Sequence, residues 1–281
     1  MALFIIFITT LVYIFSKASG YGLSLAGFAL VLAGLTSFFS YYYSDKMILG
    51  LSGAKQIKKT DNPTLFNTVE NLCIASGLPI PKIYIINDNS PNAFATGRDP
   101  KNAVVCVTSG ILEKLNKAEL EGVISHELSH IKNYDIRLMG IVVILVGFIA
   151  ILADFFMRSL WFGGRENDQR GGNAQNIFLL LGIVFAILSP IIATLIQLAV
   201  SRKREFLADA SGVLLTRYPE GLASALEKIS KDPVPLKTAN NATAHLFITN
   251  PFKGKNAKHW LSNLFNTHPP IVERIKILRS M

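Results

Sequence analysis

Apolar and charged stretches alternate along this sequence on the scale of whole helices. Four apolar stretches, two within residues 1–44, one over 137–157 and one over 177–201, carry almost no charged side chain. A transmembrane helix needs about 20 predominantly apolar residues. The pattern therefore predicts an N-terminal hairpin of two membrane spans, followed by a third and a fourth span.

Two other interpretations apply to the shorter stretches. The first and third are short enough to be helices buried in a soluble core. The first is also compatible with a cleaved signal peptide, because Ala18 and Gly20 are small and stand where cleavage would occur. It lacks a positively charged start, and a second apolar stretch follows at once, so an uncleaved anchor is the preferred interpretation.

Basic residues predict which side of the membrane each segment faces. Lysine and arginine follow the second span, precede the third and follow the fourth, which places residues 45–136 and 202–281 in the cytoplasm by the positive-inside rule. Residues 158–176 then form an extracytoplasmic loop, although Arg158, Arg165 and Arg170 weaken the contrast. We predict a multi-pass membrane protein associated with the lipid bilayer.

Composition narrows the class of protein further. Of the 281 residues, 50% are hydrophobic and only 17% are charged, which excludes a disordered chain and disfavours a soluble one. The net charge of +9 raises the possibility of a nucleic-acid partner. No stretch interleaves basic and aromatic residues as nucleic-acid-binding surfaces do, so we predict no nucleic-acid partner.

Cys73 and Cys106 have no metal-binding spacing and are predicted to be reduced thiols.

Helix and strand signals within residues 45–136 predict an α+β domain with a small β-sheet. Asn62 and Pro63 begin a helix that Gly77 ends. Lys82–Ile86 and Ala103–Thr108 are rich in β-branched residues and predict strands. Asn116 and Glu119 have capping-box spacing and predict the start of a second helix.

That second helix contains the sequence HELSH. His126 and His130 are four residues apart, so both imidazoles lie on one side of a helix and can bind one metal ion. Glu127 between them can reach a water molecule on that ion, as in zinc peptidases. The alternative is a pair of capping or ion-paired histidines on a polar helix face. The spacing favours a site for one Zn²⁺ ion.

A catalytic zinc site uses three protein ligands and leaves one position for water. Glu205, just after the fourth span, is the predicted third ligand, because consecutive spans three and four place it on the same membrane face as His130. Asp209 is one helical turn further and is predicted to orient a metal-bound histidine. The alternative is that residues 202–209 are merely a charged helix end.

Three further histidines are candidate metal ligands. His245 and His259 have no spaced partner and are predicted to be surface residues. His268 precedes two prolines at the start of a final helix, so a packed helix entry explains it equally well.

Several motifs together resemble one family. HELSH, SRKREFLAD and THPPIVERI, in this order among four hydrophobic stretches and with NAFATG and TSGILEKL, are similar to the HtpX family of membrane-integrated zinc metalloproteases, relatives of the CAAX prenyl endoproteases. The resemblance implies a mainly α membrane protein with four transmembrane helices and a cytoplasmic zincin-like α+β domain. It also implies zinc bound by His126, His130 and Glu205, with Glu127 as the catalytic acid and base.

The same resemblance assigns roles to two other regions. It implies that an edge strand aligns the substrate backbone, and that His268 and Arg274 approach the metal and are candidates to stabilise an oxyanion. Residues 232–260 carry no pattern that the resemblance explains. The implied edge strand comprises Asn92, Ala93, Phe94, Ala95 and Thr96.

The resemblance implies a function in the inner membrane of a prokaryote. It predicts an endopeptidase that hydrolyses misfolded or damaged membrane proteins during stress. Two alternatives remain: a processing protease for one peptide or lipidated protein, and a non-catalytic membrane scaffold that binds metal. The sequence does not determine the oligomeric state.

Overall fold

The computed structural model describes residues 24–142, 202–238, 246–249 and 269–281, with a few isolated positions besides. The chain divides into two units, Met1–Tyr43 with Ile144–Leu195 and Ser44–Val143 with Ile196–Met281. Most residues assigned to the four predicted spans, and the whole predicted loop over 158–176, lie outside the described residues. Among the residues that are described, no helix combines the length and hydrophobicity that a bilayer crossing requires.

The second unit contains a mixed four-stranded sheet. Its strands are β1 (Lys55–Gln56), β2 (Lys82–Ile86), β3 (Ala93–Gly97) and β4 (Ala103–Thr108), arranged in the order β1-β2-β4-β3. The central pair, β2 and β4, is parallel, whereas β1 and β3 pair in antiparallel fashion with their neighbours. The two strands predicted from β-branched residues are thus the two central strands, and β3 forms an edge.

Seven α-helices are described. They are α1 (Ser24–Leu51), α2 (Pro63–Ser76), α3 (Ser109–Lys114), α4 (Lys117–Lys132), α5 (Arg202–Thr216), α6 (Pro219–Lys231) and α7 (Ile271–Arg279). Residues 135–142 are also helical and continue beyond the described part of the chain.

The predicted helix boundaries of α2 and α4 are confirmed. The Asn62 side chain caps α2 and accepts a hydrogen bond from the Leu65 N–H, and Gly77 ends that helix with a φ of 72°. Asn116 and Glu119 form the predicted reciprocal capping box at the start of α4. These caps fix where α4 begins and so fix the rotation of its histidine face.

Close helix packing determines how α5 and α6 lie against α4. At Gly122 a Cβ atom would lie 2.6 Å from the Leu222 backbone nitrogen, so only glycine permits α4 and α6 to approach this closely. At Gly212 a Cβ would lie 3.0 Å from the Ser125 Oγ. The second contact holds α5 directly beside the part of α4 that carries the two histidines.

Candidate metal centre

The HELSH segment lies in the second half of α4, where its two faces have different environments. Ile124, Leu128 and Ile131 pack into the hydrophobic core. His126 and His130 lie on the other face, are almost fully buried, and have ring centroids 4.7 Å apart. The structure therefore agrees with the four-residue spacing that predicts both histidines on one side of the helix.

Glu205 reaches the same point from α5. One of its carboxylate oxygens lies 3.4 Å from the His130 Nε2 and the other lies 3.8 Å from the His126 Nε2. The potential ligand atoms of the three residues all lie within 4.8 Å of one another, and all three side chains are buried. The structure thus brings together the two histidines and the glutamate that the sequence placed 75 residues further along the chain.

The other ring nitrogen of His126 faces Asp209, as predicted for an orienting carboxylate. The Nδ1 of His126 lies 2.9 Å from one Asp209 oxygen. Arg274 from α7 donates to both oxygens of Asp209, over 2.8 Å from Nε and 2.6 Å from Nη2. Burial alone would raise the pKa of Asp209, but the Arg274 charge and these hydrogen bonds lower it to about 2.

Arg274 is itself completely buried and reaches a second carboxylate. Its Nη1 lies 3.4 Å from a Glu205 oxygen and also donates to the Ile248 carbonyl over 3.4 Å. The structure therefore places Arg274 at the centre, as predicted, and directs its guanidinium toward two carboxylates. Its role toward an oxyanion stays a prediction.

Asp135 is the main residue of this centre that the sequence analysis missed. Its Oδ2 lies 3.0 Å from the His130 Nδ1, and its other oxygen pairs with Arg204, the residue before Glu205. Helix α4 ends at Lys132, and Tyr134 with a φ of 59° turns the chain so that Asp135 folds back toward His130. The sequence signal that could have identified Asp135 is a carboxylate residue shortly after the helix that ends with the HExxH motif.

Two carboxylates face the Nδ1 atoms of the two histidines. The Nδ1 atoms lie 2.9 Å and 3.0 Å from carboxylate oxygens, an arrangement that favours the ring proton on Nδ1 and directs both Nε2 atoms toward Glu205. Those two Nε2 atoms lie 3.1 Å apart and face the Glu205 carboxylate. Three electron-pair donors that converge in a buried site suit a divalent cation, and two imidazoles with one carboxylate form a typical zinc ligand set.

The charges around the two histidines differ. Burial lowers the pKa of His126, and the hydrogen bond to Asp209 offsets only part of this effect. Burial opposes charge on His130 as well, but its hydrogen bond to Asp135 and the charges of Glu205 and Glu127 raise its pKa overall. His126 is therefore held neutral, which is the form that binds metals.

Glu127 is 2% exposed and lies beside the edge strand. Burial raises its pKa to about 7, with the charge of His130 acting in the opposite direction. The backbone N–H of Ala95 in β3 donates a hydrogen bond to its carboxylate. The carboxylate is thus oriented by the strand that was predicted to hold a substrate.

The predicted substrate strand lies at the edge of the sheet. Ala93 to Gly97 are all buried and pair with β4, and Asn92 precedes the strand. The Asn92 N–H and C=O bond to Thr108, which anchors the start of the strand. Placement of these residues beside Glu127 is consistent with the predicted role, which stays a prediction.

His245, His259 and His268 lie outside the described residues.

Comparisons with known sequences agree with this geometry. The profile described as peptidase family M48 matches residues 59–281. A "Protease HtpX homolog" of Dictyoglomus thermophilum is 52% identical over 92% of this chain and 83% of its own length. Another, from Caldanaerobacter subterraneus, is 44% identical over 100% of this chain and 93% of its own length.

A solved structure has a similar fold. The crystal structure of S. mikatae Ste24p aligns with a TM-score of 0.54 at 19% sequence identity and covers 96% of this chain. The chain spans 62% of the length of that protein. At this level of identity the match concerns the fold alone.

Proposed function

The chain belongs to peptidase family M48, whose members are metallopeptidases, and on that basis we propose that it is a zinc-dependent endopeptidase of membrane proteins. The proposed ligands are His126, His130 and Glu205, and the proposed acid and base is Glu127. Asp209 is proposed to hold His126 in its metal-binding orientation. This proposal adds specific ligand and catalytic residues to the family membership.

One observation carries the proposal. Two buried imidazoles, each oriented through its Nδ1 by a carboxylate, and the carboxylate of Glu205 present their ligand atoms within 4.8 Å of one another. In this buried site the two Nε2 atoms and the Glu205 carboxylate face one another, so that a divalent cation between them would have all three as ligands. If the two histidines only formed ion pairs that stabilise the fold, their Nε2 atoms would not need to face the same point.

The proposed mechanism is attack of water on a peptide carbonyl. A zinc ion in this site would polarise the carbonyl and lower the pKa of a water molecule toward about 7. The Glu127 carboxylate removes a proton from the attacking water and later delivers it to the leaving amine. A carboxyl pKa of about 7 suits both steps at neutral pH, and the Ala95 N–H keeps the carboxylate oriented between them.

We propose that the substrate is held mainly by its backbone. An extended segment that pairs with the edge of β3, beside Glu127, gains main-chain hydrogen bonds without selecting particular side chains. This suits a protease that acts on many unfolded sequences. The apolar stretches support a membrane location, and the basic residues beside them support a site on the cytoplasmic side. The inner membrane of a prokaryote and a role in membrane protein quality control rest on the similarity to proteins named "Protease HtpX homolog".

The proposed activity is tested with the purified full-length chain in detergent. Casein serves as an unfolded soluble substrate and a truncated membrane protein as a misfolded one. We expect cleavage of both, its loss after treatment with a chelator, and its recovery when Zn²⁺ is added. Cleavage that persists after the bound metal has been removed would overturn the zinc-dependent mechanism.

Replacement of Glu205 tests the third ligand. We expect Glu205→Ala to reduce the zinc content of the purified protein well below one ion per chain, because only the two histidines remain as ligands. The measurement is metal analysis by mass spectrometry after dialysis against a weak chelator. Glu220→Ala, which alters a glutamate with a side chain 43% exposed, is the matched control and should retain its zinc. Equal zinc content in both variants would remove Glu205 from the site.

Replacement of Asp135 tests the orientation of His130. We expect Asp135→Ala to weaken zinc binding by about 10- to 100-fold, the usual cost of removing a carboxylate that orients a metal-bound histidine. Asp135→Asn retains an acceptor for the Nδ1 proton and should fall between this variant and the parent. Competition with a fluorescent zinc chelator gives the affinities. Asp99→Ala, which alters an aspartate that caps a surface 3₁₀ helix and pairs with Arg98, is the control. Parent-like affinity of Asp135→Ala would contradict the role.

A further inference from the structure

Asp135 uses both of its carboxylate oxygens. Its Oδ2 lies 3.0 Å from the His130 Nδ1, and its Oδ1 accepts a hydrogen bond from the Nη1 of Arg204. The side chain of Asp135 is 1% exposed, whereas that of Arg204 is 39% exposed. The bond between the guanidinium and the carboxylate is charge-assisted and so belongs to the stronger class of hydrogen bonds. The three residues form a continuous series from a partly exposed guanidinium to a proposed zinc ligand.

The contact with Arg204 restricts the direction of the Asp135 carboxylate. The terminal torsion of an aspartate side chain is broad, so a carboxylate that touched only His130 could rotate about its last bond. A second contact at the other oxygen opposes that rotation. The ring of His130 is then held in one orientation, with its Nε2 3.4 Å from a Glu205 oxygen.

Arg204 lies at the start of α5, on the side that faces α4. Lys203 beside it is exposed, whereas Arg204 is half-buried. Ala208, one helical turn later on the same side of α5, is completely buried. The next residue in the chain is Glu205, the proposed third ligand. Two consecutive residues of α5 thus act on opposite ring nitrogens of His130, one at Nε2 and the other, through a carboxylate, at Nδ1.

The other proposed histidine ligand has an equivalent arrangement. The carboxylate beside His126 belongs to Asp209 and accepts from both Nε and Nη2 of Arg274. Arg274 belongs to α7 and is completely buried. A guanidinium therefore contacts the orienting carboxylate at each of the two histidines. The recurrence supports a shared task, which is to hold each carboxylate against its imidazole.

We propose that Arg204 is a positioning residue of the zinc site, which holds the Asp135 carboxylate so that His130 presents its Nε2 to the metal. The inference rests on the proposed function, because it concerns the affinity of the proposed zinc site. A guanidinium has no electron pair to offer a cation, so Arg204 is not a ligand. Its effect on zinc binding passes through Asp135 and disappears when the Asp135 carboxylate is removed.

Zinc affinity of the purified full-length chain in detergent tests this role, by competition with a fluorescent zinc chelator. We expect Arg204→Leu to weaken zinc binding by about tenfold, the lower end of the usual cost of losing an outer partner of a metal ligand. Arg204→Lys keeps the charge without the planar guanidinium and should recover part of the loss. Lys203→Leu removes the neighbouring exposed charge and should bind zinc as the parent does. Parental affinity of Arg204→Leu, or an equal loss in Lys203→Leu, would overturn the inference.

A double-mutant cycle distinguishes positioning from a general effect on the fold. It comprises the parent, Asp135→Ala, Arg204→Leu and the double variant. Because the effect of Arg204 requires Asp135, Arg204→Leu should change the zinc affinity of the Asp135→Ala chain by less than about twofold. A further loss of about tenfold in the double variant would show that the two residues act independently, and the positioning role would be wrong. Arg204→Met replaces Arg204→Leu throughout if the latter does not fold.

Cobalt substitution provides a readout of the ligand geometry itself. The visible absorption of the chain loaded with Co²⁺ depends on the arrangement of the ligands around the ion. It should change in Arg204→Leu and stay parental in Lys203→Leu. A parental spectrum in Arg204→Leu would contradict a change in the position of His130 and would overturn the inference.

The parent protein separates this inference from the proposed function. If the parent binds no zinc, the proposed function and the inference fail together. If the parent binds zinc and the losses in the cycle are additive, the zinc site stands and only the role of Arg204 is wrong.

Discussion

Glu127→Gln is expected to lower kcat/KM for casein cleavage by about 10²- to 10⁴-fold, the usual contribution of a general acid and base. The glutamine amide cannot take the proton of the attacking water, yet it has nearly the same shape as the carboxyl group. Glu127 is not among the three residues proposed to bind the metal, so zinc content should remain at the parental value. Initial rates and metal analysis of the same preparation measure both quantities.

The matched control is Glu121→Gln in the same helix. Glu121 lies nearly two turns before Glu127 with its side chain 37% exposed, and its replacement should change neither the rate nor the zinc content. Parental activity in Glu127→Gln would remove Glu127 from the mechanism. Loss of zinc in Glu127→Gln would instead indicate that Glu127 is itself a ligand.

Arg274→Leu is expected to cause the largest loss of stability, about 3–5 kcal/mol in the free energy of unfolding. The guanidinium is completely buried and compensates Asp209 and Glu205, which lie in the same buried centre. Leucine would leave both carboxylates without that charge. Urea unfolding followed by circular dichroism measures the effect, with metal removed from every sample because bound metal adds its own stabilisation.

Arg279→Leu provides a control in the same helix. Arg279 is 45% exposed and pairs with Glu220 and Glu227 at the surface, where such pairs contribute about 0–1 kcal/mol. The double variant Asp209→Asn with Arg274→Leu should recover part of the lost stability, because one of the uncompensated charges is then gone. Equal stability of Arg274→Leu and Arg279→Leu would show that the buried pair does not stabilise the fold.

Local patterns were sufficient to predict the helix that carries the chemistry. The Asn116 cap and the four-residue spacing of His126 and His130 depend only on helical geometry, and the structure agrees with both. Glu205 is far away in sequence and was predicted as a ligand from the order of the apolar stretches, and the structure places its carboxylate beside both histidines. The two segments rich in β-branched residues likewise predicted strands β2 and β4, which the structure places at the centre of the sheet.

Contacts that depend on chain reversal could not be predicted in the same way. Asp135 reaches His130 only because α4 ends at Lys132 and Tyr134 adopts a positive φ, and neither feature has a periodic signal. The bond between Ile248 and Ala93 joins residues of distant segments, and residues 232–260 showed no pattern at all. Long-range pairing of this kind is fixed by the complete fold.

The contact between Gly212 and α4 lies directly beside the candidate metal centre. A Cβ atom there would lie 3.1 Å from the His126 backbone nitrogen, closer than most such contacts, so a methyl group would push the two helices apart by a few tenths of an ångström. Gly212 provides no ligand atom, yet the absence of a methyl group at this position lets α5 lie close enough to α4 for the Glu205 carboxylate to reach both histidines.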